Sequence, residues 1–216
     1  MDEVIPGVYA SPPETLPFAP DLEIRAFLLR RDPGNLLVYG AGTLAADARE
    51  VEGIGSVWRH YLNHRHEAAF VGDEHDRTPD APLFCHENER RSVSERLEVS
   101  GTFSERHVIG DDFEVIPIPG HTRGATAYLW DTGEHRCLFT GDTVYLRGGE
   151  WVAAVLPSSD RAAYVESLDL IRELDFDVLV PWAASAGEPY HDFTDEADSR
   201  RRIDAILERV RSGRDA

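Results

Sequence analysis

The hexapeptide Pro119-Gly120-His121-Thr122-Arg123-Gly124 lies directly between two runs rich in β-forming residues, 113–118 and 125–130. Its Pro and Gly residues predict a tight turn, so His121 is expected on a loop that follows a strand. An α/β scaffold commonly places its reactive side chains on such loops. The hexapeptide therefore predicts a functional histidine at a strand end, and the strands interleaved with helices over the whole length predict an α/β fold.

Two other segments show the same arrangement. Asn63-His64-Arg65-His66 follows the apolar run 57–62, and Leu138-Phe139-Thr140-Gly141-Asp142 closes the β-rich run 136–140. Histidines at i and i+2 beyond a strand can point into one concave site, and imidazole and carboxylate groups suit a divalent metal of borderline softness. The sequence therefore predicts a single metal site with four ligands: His64, His66, His121 and Asp142.

The order and spacing of these segments resemble the metallo-β-lactamase superfamily. Residues 119–124 match its Pro-Gly-His-Thr-x-Gly motif, and residues 139–142 carry its Gly-Asp motif. The resemblance implies one domain over residues 1–216, folded as a four-layer αβ/βα sandwich. It also implies a metal site at one edge of the sandwich, between the two sheets.

The departures from the family pattern affect ligands of one metal position only. Ala68 and Ala69 replace the Asp and the last His of His-x-His-x-Asp-His, and Gly40 replaces an early Asp. Pro181-Trp182-Ala183-Ala184 has no histidine where the last family ligand belongs. The resemblance assigns these lost ligands to the second metal position and the four retained ones to the first. We therefore expect one divalent ion, with zinc favoured and iron as the alternative.

The resemblance implies a hydrolase in which metal-activated water attacks an ester, thioester or lactone-like carbonyl. Two alternatives stay open: a non-catalytic member whose four ligands close a structural site, and a mononuclear iron oxygenase resembling persulfide dioxygenases. Asp142 is the predicted catalytic ligand, because loose binding would let it orient a water molecule. Glu67 is a candidate base in place of the missing Asp, and an ordinary exposed Glu is its alternative.

Several nearby side chains could support such a site. The chain has 22 basic residues and all are Arg, so a substrate carboxylate or phosphate would be held by arginine. Arg65 and Arg123 lie inside the histidine motifs and are the candidates, unless they face solvent. His60 and His75 could orient a ligand imidazole, although we expect exposed loop positions for both.

The net charge of -18 indicates which classes of partner the protein can bind. It disfavours binding to nucleic acid and to membrane surfaces and leaves a small-molecule substrate as the expected partner. Adaptation to high salt is slightly favoured over an ordinary solvated acidic surface. With no secretory signal and no apolar stretch of ~20 residues, a soluble cytoplasmic protein is expected. Cys85 and Cys137 are expected to be reduced thiols.

The hydrophobic pattern predicts the main elements. Tyr164, Leu168 and Ile171 indicate one face of a helix that begins at 159 or 160 and runs to 174. A final helix is predicted from a stripe formed by Ile203, Ile206, Leu207 and Val210. Further helices are expected at 45–53 and 86–93, and further strands at 24–29, 36–39, 83–85 and 176–180.

Overall fold

A computed structural model describes residues 1–32, 34–71 and 81–214 of the chain. These residues form two compact units, Met1–Ser104 and Glu105–Ala216. Each unit contains a β-sheet and α-helices. The expectation that 1–216 is one domain stays a prediction. In the described part of the chain, no helix is both long and apolar enough to cross a membrane.

The first unit is built around a seven-stranded sheet. The strands of this unit are β1 (Asp2–Ile5), β2 (Val8–Ala10), β3 (Glu14–Leu16), β4 (Ala19–Ile24), β5 (Phe27–Leu29), β6 (Asn35–Val38), β7 (Val57–Tyr61), β8 (Leu83–His86) and β9 (Gly101–Phe103). The sheet order is β1-β2-β5-β6-β7-β8-β9, and β3 and β4 form an antiparallel pair. The helices are α1 (Ala48–Ile54) and α2 (Glu87–Val93), with 3₁₀ helices over Gly42–Asp47 and Arg65–Ala69.

The parallel part of this sheet positions the first half of the candidate site. Strands β6, β7, β8 and β9 are parallel to one another, so their carboxyl ends lie at the same edge of the sheet. Gly40 follows β6, the 63–66 segment follows β7, and α2 follows β8 directly. Strands β6 and β8 are mostly apolar and largely buried, as expected of parallel strands covered on both faces, whereas β7 and β9 are partly exposed.

The second unit contains a six-stranded sheet. The strands of this unit are β10 (His107–Ile109), β11 (Phe113–Pro117), β12 (Thr126–Asp131), β13 (Arg136–Gly141), β14 (Tyr145–Arg147), β15 (Glu150–Val152), β16 (Val178–Pro181), β17 (Ala183–Ser185) and β18 (Asp192–Phe193). The sheet order is β10-β11-β12-β13-β16-β18; β14 pairs with β15 and with β17. The helices are α3 (Arg161–Arg172) and α4 (Glu196–Arg211).

Helices α3 and α4 bury the faces that the sequence predicts. Their apolar residues join one core with Leu138 of β13 and Leu179 of β16. The helical members of this core are Tyr164, Leu168, Ile171, Ile203, Ile206, Leu207 and Val210. Asp160 caps α3 by accepting hydrogen bonds from the backbone N–H groups of the second and third residues of the helix. Both helix predictions are confirmed.

The expected strand 24–29 is wrong in one respect, because it is two strands. β4 ends at Ile24 and β5 begins at Phe27, and between them Ala26 contacts Ser11. The backbone N–H of Ser11 donates to the Ala26 carbonyl at 2.9 Å, and the Ala26 N–H donates to Ser11 Oγ at 3.1 Å. These tertiary contacts replace the ladder that would have continued the strand. Similarly, the expected helix 45–53 is a 3₁₀ helix that runs into α1.

Candidate metal centre

His64 and His66 lie where β7 passes into the 3₁₀ helix Arg65–Ala69. His64 is the N-cap of this helix, with extended backbone at φ -155° and ψ 170°. The two imidazoles are perpendicular, and their ring centroids are 4.9 Å apart. His64 is fully buried, whereas His66 is partly exposed. The tight turn thus brings the two predicted ligands of the first unit side by side.

The carboxylate of Glu67 organises this turn. Its Oε1 atom accepts hydrogen bonds from the backbone N–H groups of Asn63 at 2.9 Å and His64 at 3.0 Å. Oε2 accepts from the N–H of Gly40 at 3.0 Å, and His64 Nδ1 lies 3.0 Å from Oε1. Since an ionised carboxylate can only accept, Nδ1 carries the hydrogen and Nε2 carries the lone pair that can bind a metal. Glu67 is fully buried, so the expectation of an ordinary exposed Glu is wrong.

A second buried carboxylate, Glu89 on α2, contacts the same turn. Its Oε2 accepts a hydrogen bond from the backbone N–H of Arg65 at 3.2 Å, and Arg65 Nη1 lies 3.6 Å away. The Arg65 guanidinium therefore faces α2 as an ion-pair partner. A role for Arg65 in substrate binding stays a prediction. Sequence reasoning did not single out Glu89, because nothing local distinguishes it from the other charged residues of its helix.

The other described histidines of the first unit, His60 and His86, have structural contacts. His60 is buried on β7, and its Nε2 lies 2.7 Å from the carbonyl oxygen of Tyr39, so the expected exposed position is wrong. His86 caps α2, with Nδ1 accepting from the N–H of Asn88 at 3.1 Å. His75 lies outside the described residues.

His121 and Asp142 form the corresponding pair in the second unit. His121 is buried, and its Nδ1 lies 2.6 Å from the carbonyl oxygen of Ala154. A carbonyl can only accept a hydrogen bond, so Nδ1 carries the hydrogen here too. His121 Nε2 faces Asp142 Oδ2 at 3.6 Å, and the Asp142 side chain is 18% exposed. The second unit thus presents one buried imidazole and one partly exposed carboxylate.

The start of α3 holds the His121 loop in place. The Asp160 N–H donates to the Gly120 carbonyl at 2.9 Å, and Ser159 Oγ donates to the His121 carbonyl at 3.0 Å. Gly120 has φ 146°, and a Cβ at this position would lie 2.4 Å from Tyr164 Cα. A glycine is required here, because the loop and the helix backbone approach too closely for a side chain. Arg123, further along the loop, is exposed.

The positions of the lost family ligands have no donor side chains. Ala68 is buried and Ala69 is exposed. A Cβ at Gly40 would lie 2.5 Å from Val71 Cγ2 and 2.9 Å from the Glu67 carbonyl oxygen, so this backbone leaves no room for an aspartate. In the other unit, Trp182 and Ala183 are buried.

A His/Asp group of candidate metal ligands is present in the chain. The first unit supplies His64 and His66, and the second unit supplies His121 and Asp142. Three imidazole nitrogens and one carboxylate oxygen form a donor set that suits zinc or iron. The residues present therefore fit a divalent transition metal.

A family model described as the metallo-beta-lactamase superfamily matches residues 38–183. The match covers more than half of the chain, and the protein belongs to this superfamily. Its members are in general metal-dependent hydrolases. The predicted α/β fold of the metallo-β-lactamase type is confirmed.

Solved structures with the same fold are distant in sequence. A metallo-beta-lactamase from Pontibacter korlensis is 13% identical with a TM-score of 0.69, and the alignment covers 96% of this chain and 97% of that chain. A family protein from Thermus thermophilus is 18% identical with a TM-score of 0.66, over 97% and 81% of the chains. The dizinc quorum-quenching lactonase AidC is 14% identical with a TM-score of 0.55, over 81% and 76%. No curated protein matches the chain.

Proposed function

We propose that this protein is a mononuclear metal-dependent hydrolase of small carbonyl compounds. The proposed ligands of the single ion are His64, His66, His121 and Asp142. One observation carries the proposal: His64 and His121 each have Nδ1 engaged by an oxygen acceptor, Glu67 Oε1 and the Ala154 carbonyl. Acceptors of this kind fix the ring orientation and tautomer of metal-binding histidines. Zinc is the proposed ion because the donor set is nitrogen-rich.

The loss of the second-metal ligands supports a single ion. Alanines at positions 68 and 69 offer no donor atoms, and the packing around Gly40 excludes a carboxylate there. The retained ligands all belong to the first metal position that the superfamily pattern defines. AidC binds two zinc ions, as its description states, so the proposed site differs from that of this structural neighbour.

In the proposed reaction, the ion supplies a Lewis acid that activates water and polarises the carbonyl group. Asp142 is the protein group suited to accept a hydrogen bond from the attacking water, because its carboxylate is partly accessible. Its Oδ2 lies 3.6 Å from His121 Nε2, beyond hydrogen-bond distance, so the oxygen is not committed to that ring. Arg123 is exposed and is the proposed partner for an anionic group on the substrate.

Metal analysis tests the existence of the site. The purified protein, dialysed against excess zinc and then against buffer, should retain about one zinc per chain. His64→Ala should lose it, and His107→Ala is the matched control, because His107 lies on β10 and its Nδ1 contacts the Glu105 carbonyl at 2.8 Å. Equal zinc in wild type and His64→Ala contradicts the proposed ligands. Iron in the protein as purified, with weak zinc binding, favours the oxygenase alternative instead.

A substrate panel tests catalysis. Lactones are the first class to examine because a structural neighbour is described as a lactonase, and thioesters and simple esters follow. Asp142→Asn keeps an oxygen ligand but removes the negative charge, and it should lower the hydrolytic rate by ~100-fold or more. No hydrolysis of any class by zinc-loaded wild type would favour a structural site instead.

A further inference from the structure

We propose that Glu67 is a positioning residue, whose buried carboxylate holds the His64 ring with Nε2 toward the metal. The inference rests on the proposed function, since it needs a metal at His64. It replaces the idea that Glu67 acts as a base. Because Glu67 is fully buried and accepts hydrogen bonds from the protein itself, its carboxylate is committed to the turn and is not presented to substrate.

The first argument is the identity of the four contacts. Oε1 contacts two backbone nitrogens, those of Asn63 and His64, and also His64 Nδ1. Oε2 contacts the nitrogen of Gly40, which follows the neighbouring parallel strand β6. All four partners are nitrogens that can donate, which is the environment that an ionised carboxylate requires when it is buried. The same group therefore fixes the backbone and the ring of one ligand.

The second argument concerns position 40. The superfamily pattern has an Asp there, and this chain has Gly40 with no room for a Cβ beside Val71 and the Glu67 carbonyl. The Gly40 N–H nevertheless donates to a carboxylate, that of Glu67. The negative charge at this strand end is thus supplied from the histidine loop. We infer that Glu67 and Gly40 act together as the replacement for the missing aspartate.

The third argument is electrostatic. A carboxylate that accepts the Nδ1 hydrogen makes the opposite nitrogen of the ring a stronger metal ligand. Glu67 has no exposed surface, so water screens its effect on His64 weakly. Replacing it with the isosteric amide removes the charge while leaving the shape of the side chain. The expected consequence is weaker metal binding by a protein that still folds.

Glu89 provides a matched control. It is also a fully buried Glu, belongs to the same unit and contacts the same turn. Two of its contacts there are with the backbone N–H and guanidinium of Arg65, and Arg65 is not a proposed ligand. Glu89→Gln therefore tests the cost of removing a buried charge beside this turn while leaving the Glu67–His64 contact in place.

The experiment measures zinc affinity of the full chain by competition with a chromophoric chelator. Glu67→Gln should weaken zinc binding by ~10–100-fold, and Glu89→Gln should stay near the wild-type affinity. Long-range ¹H–¹⁵N spectra of the zinc-loaded protein provide a second measurement. In wild type and Glu89→Gln, His64 should show a protected Nδ1 hydrogen; in Glu67→Gln, whose neutral amide oxygen is a weaker acceptor, this protection should decrease. A role in folding alone would lower stability without changing this signal.

The outcomes separate this inference from the proposed function. Stoichiometric zinc in wild type, with unchanged affinity and an unchanged His64 signal in Glu67→Gln, overturns the positioning role and leaves the hydrolase proposal intact. No zinc binding by wild type overturns both. If Glu67→Gln does not fold, Glu67→Asp keeps the charge and withdraws the carboxylate by one methylene. Its zinc affinity should then be at least ~10-fold weaker, and wild-type affinity in this variant contradicts the inference.

Discussion

At the scale of single residues, Gly120 is the position where the metal-site loop tolerates least change. An added Cβ would lie 2.4 Å from Tyr164 Cα and 2.7 Å from its nitrogen, and these backbone atoms cannot move without displacing α3. Gly120→Ala should therefore lower the free energy of unfolding by about 3 kcal/mol or more, through backbone strain combined with overpacking. Equilibrium denaturation in urea measures the change.

A matched variant isolates the packing part of this effect. Gly133 also has a positive φ, 88°, but a Cβ there would meet no atom within 4 Å. Gly133→Ala should cost only about 1 kcal/mol, the price of the backbone conformation alone. Similar losses in the two variants would contradict the close approach of the Gly120 loop to α3.

The two cysteines give a second residue-scale prediction. Both thiols are free, as expected from the sequence, and both are fully buried; this burial raises the pKa of Cys85 and Cys137 to about 12. Because thiolate is the reactive form, the folded protein should react slowly with a disulfide reagent at pH 8, and denatured protein should react within seconds. A raised thiol pKa also means that stability is retained at neutral pH and falls as the pH rises from about 9 toward 12.

The thiol measurement has an internal control. Cys85→Ser leaves Cys137 in the second unit, and Cys137→Ser leaves Cys85 in the first, so each unit can be followed alone. Rapid labelling of either remaining thiol in native buffer would show that its unit opens locally without global unfolding.

Sequence reasoning found the candidate ligands because each follows a β-run and lies beside turn residues. It could not find the function of Glu67, since its contact with Gly40 joins residues 27 positions apart. The contact between His121 and the Ala154 carbonyl could not be predicted from the sequence either, because every residue type has a backbone carbonyl. The expected exposed position of His60 is wrong, because His60 lies within β7 and its ring contacts the Tyr39 carbonyl, 21 positions away.

At the scale of elements, α3 supports both predicted ligands of the second unit. Its first residues hold the Gly120–His121 backbone, and Tyr164 Oη donates to the carbonyl of Thr143 at 2.7 Å, next to Asp142. Asp160→Ala removes the N-cap of α3 and should cost about 1 kcal/mol of stability. Because fraying of this turn also loosens the His121 loop, zinc affinity should fall in the same variant.

Asp195→Ala is the control for this element. Asp195 caps α4 by accepting from the Asp198 N–H at 2.8 Å, so its loss should cost a similar ~1 kcal/mol. No contact described for this cap reaches the His121 loop, and zinc affinity should be unchanged. A fall in zinc affinity with both variants would mean that general stability, and not α3 itself, sets the geometry of the ligands.

The longer elements are predictable from sequence because they have enough residues to show a period. Helices α3 and α4 have 12 and 16 residues, and strands β11, β12 and β13 have five or six. The three-residue strands β14, β15 and β17 are too short for alternation to distinguish them from loops. The interruption between β4 and β5 depends on Ser11, a contact that no local pattern contains.

At the scale of the whole molecule, the net charge of -18 sets the response to salt. Ion pairs such as Arg211–Asp169, at 2.9 Å, are exposed, so each contributes little and little stability is lost when salt screens them. The excess of carboxylates has no basic partners to balance it, and its self-repulsion destabilises the folded state. Raising the ionic strength from about 0.01 to about 1 M shortens the Debye length from about 30 Å to about 3 Å and removes most of this repulsion.

We therefore expect the free energy of unfolding to rise with sodium chloride, steeply at low ionic strength and little once the charges are screened. Urea denaturation at fixed pH over a series of salt concentrations measures the curve. Sodium sulfate at matched ionic strength is the control, because sulfate also strengthens apolar burial and should add stability at concentrations where screening is complete. A flat chloride curve would mean that the acidic residues are an ordinary solvated surface. Denaturation in dilute buffer with recovery in molar salt would instead support adaptation to a salt-rich environment.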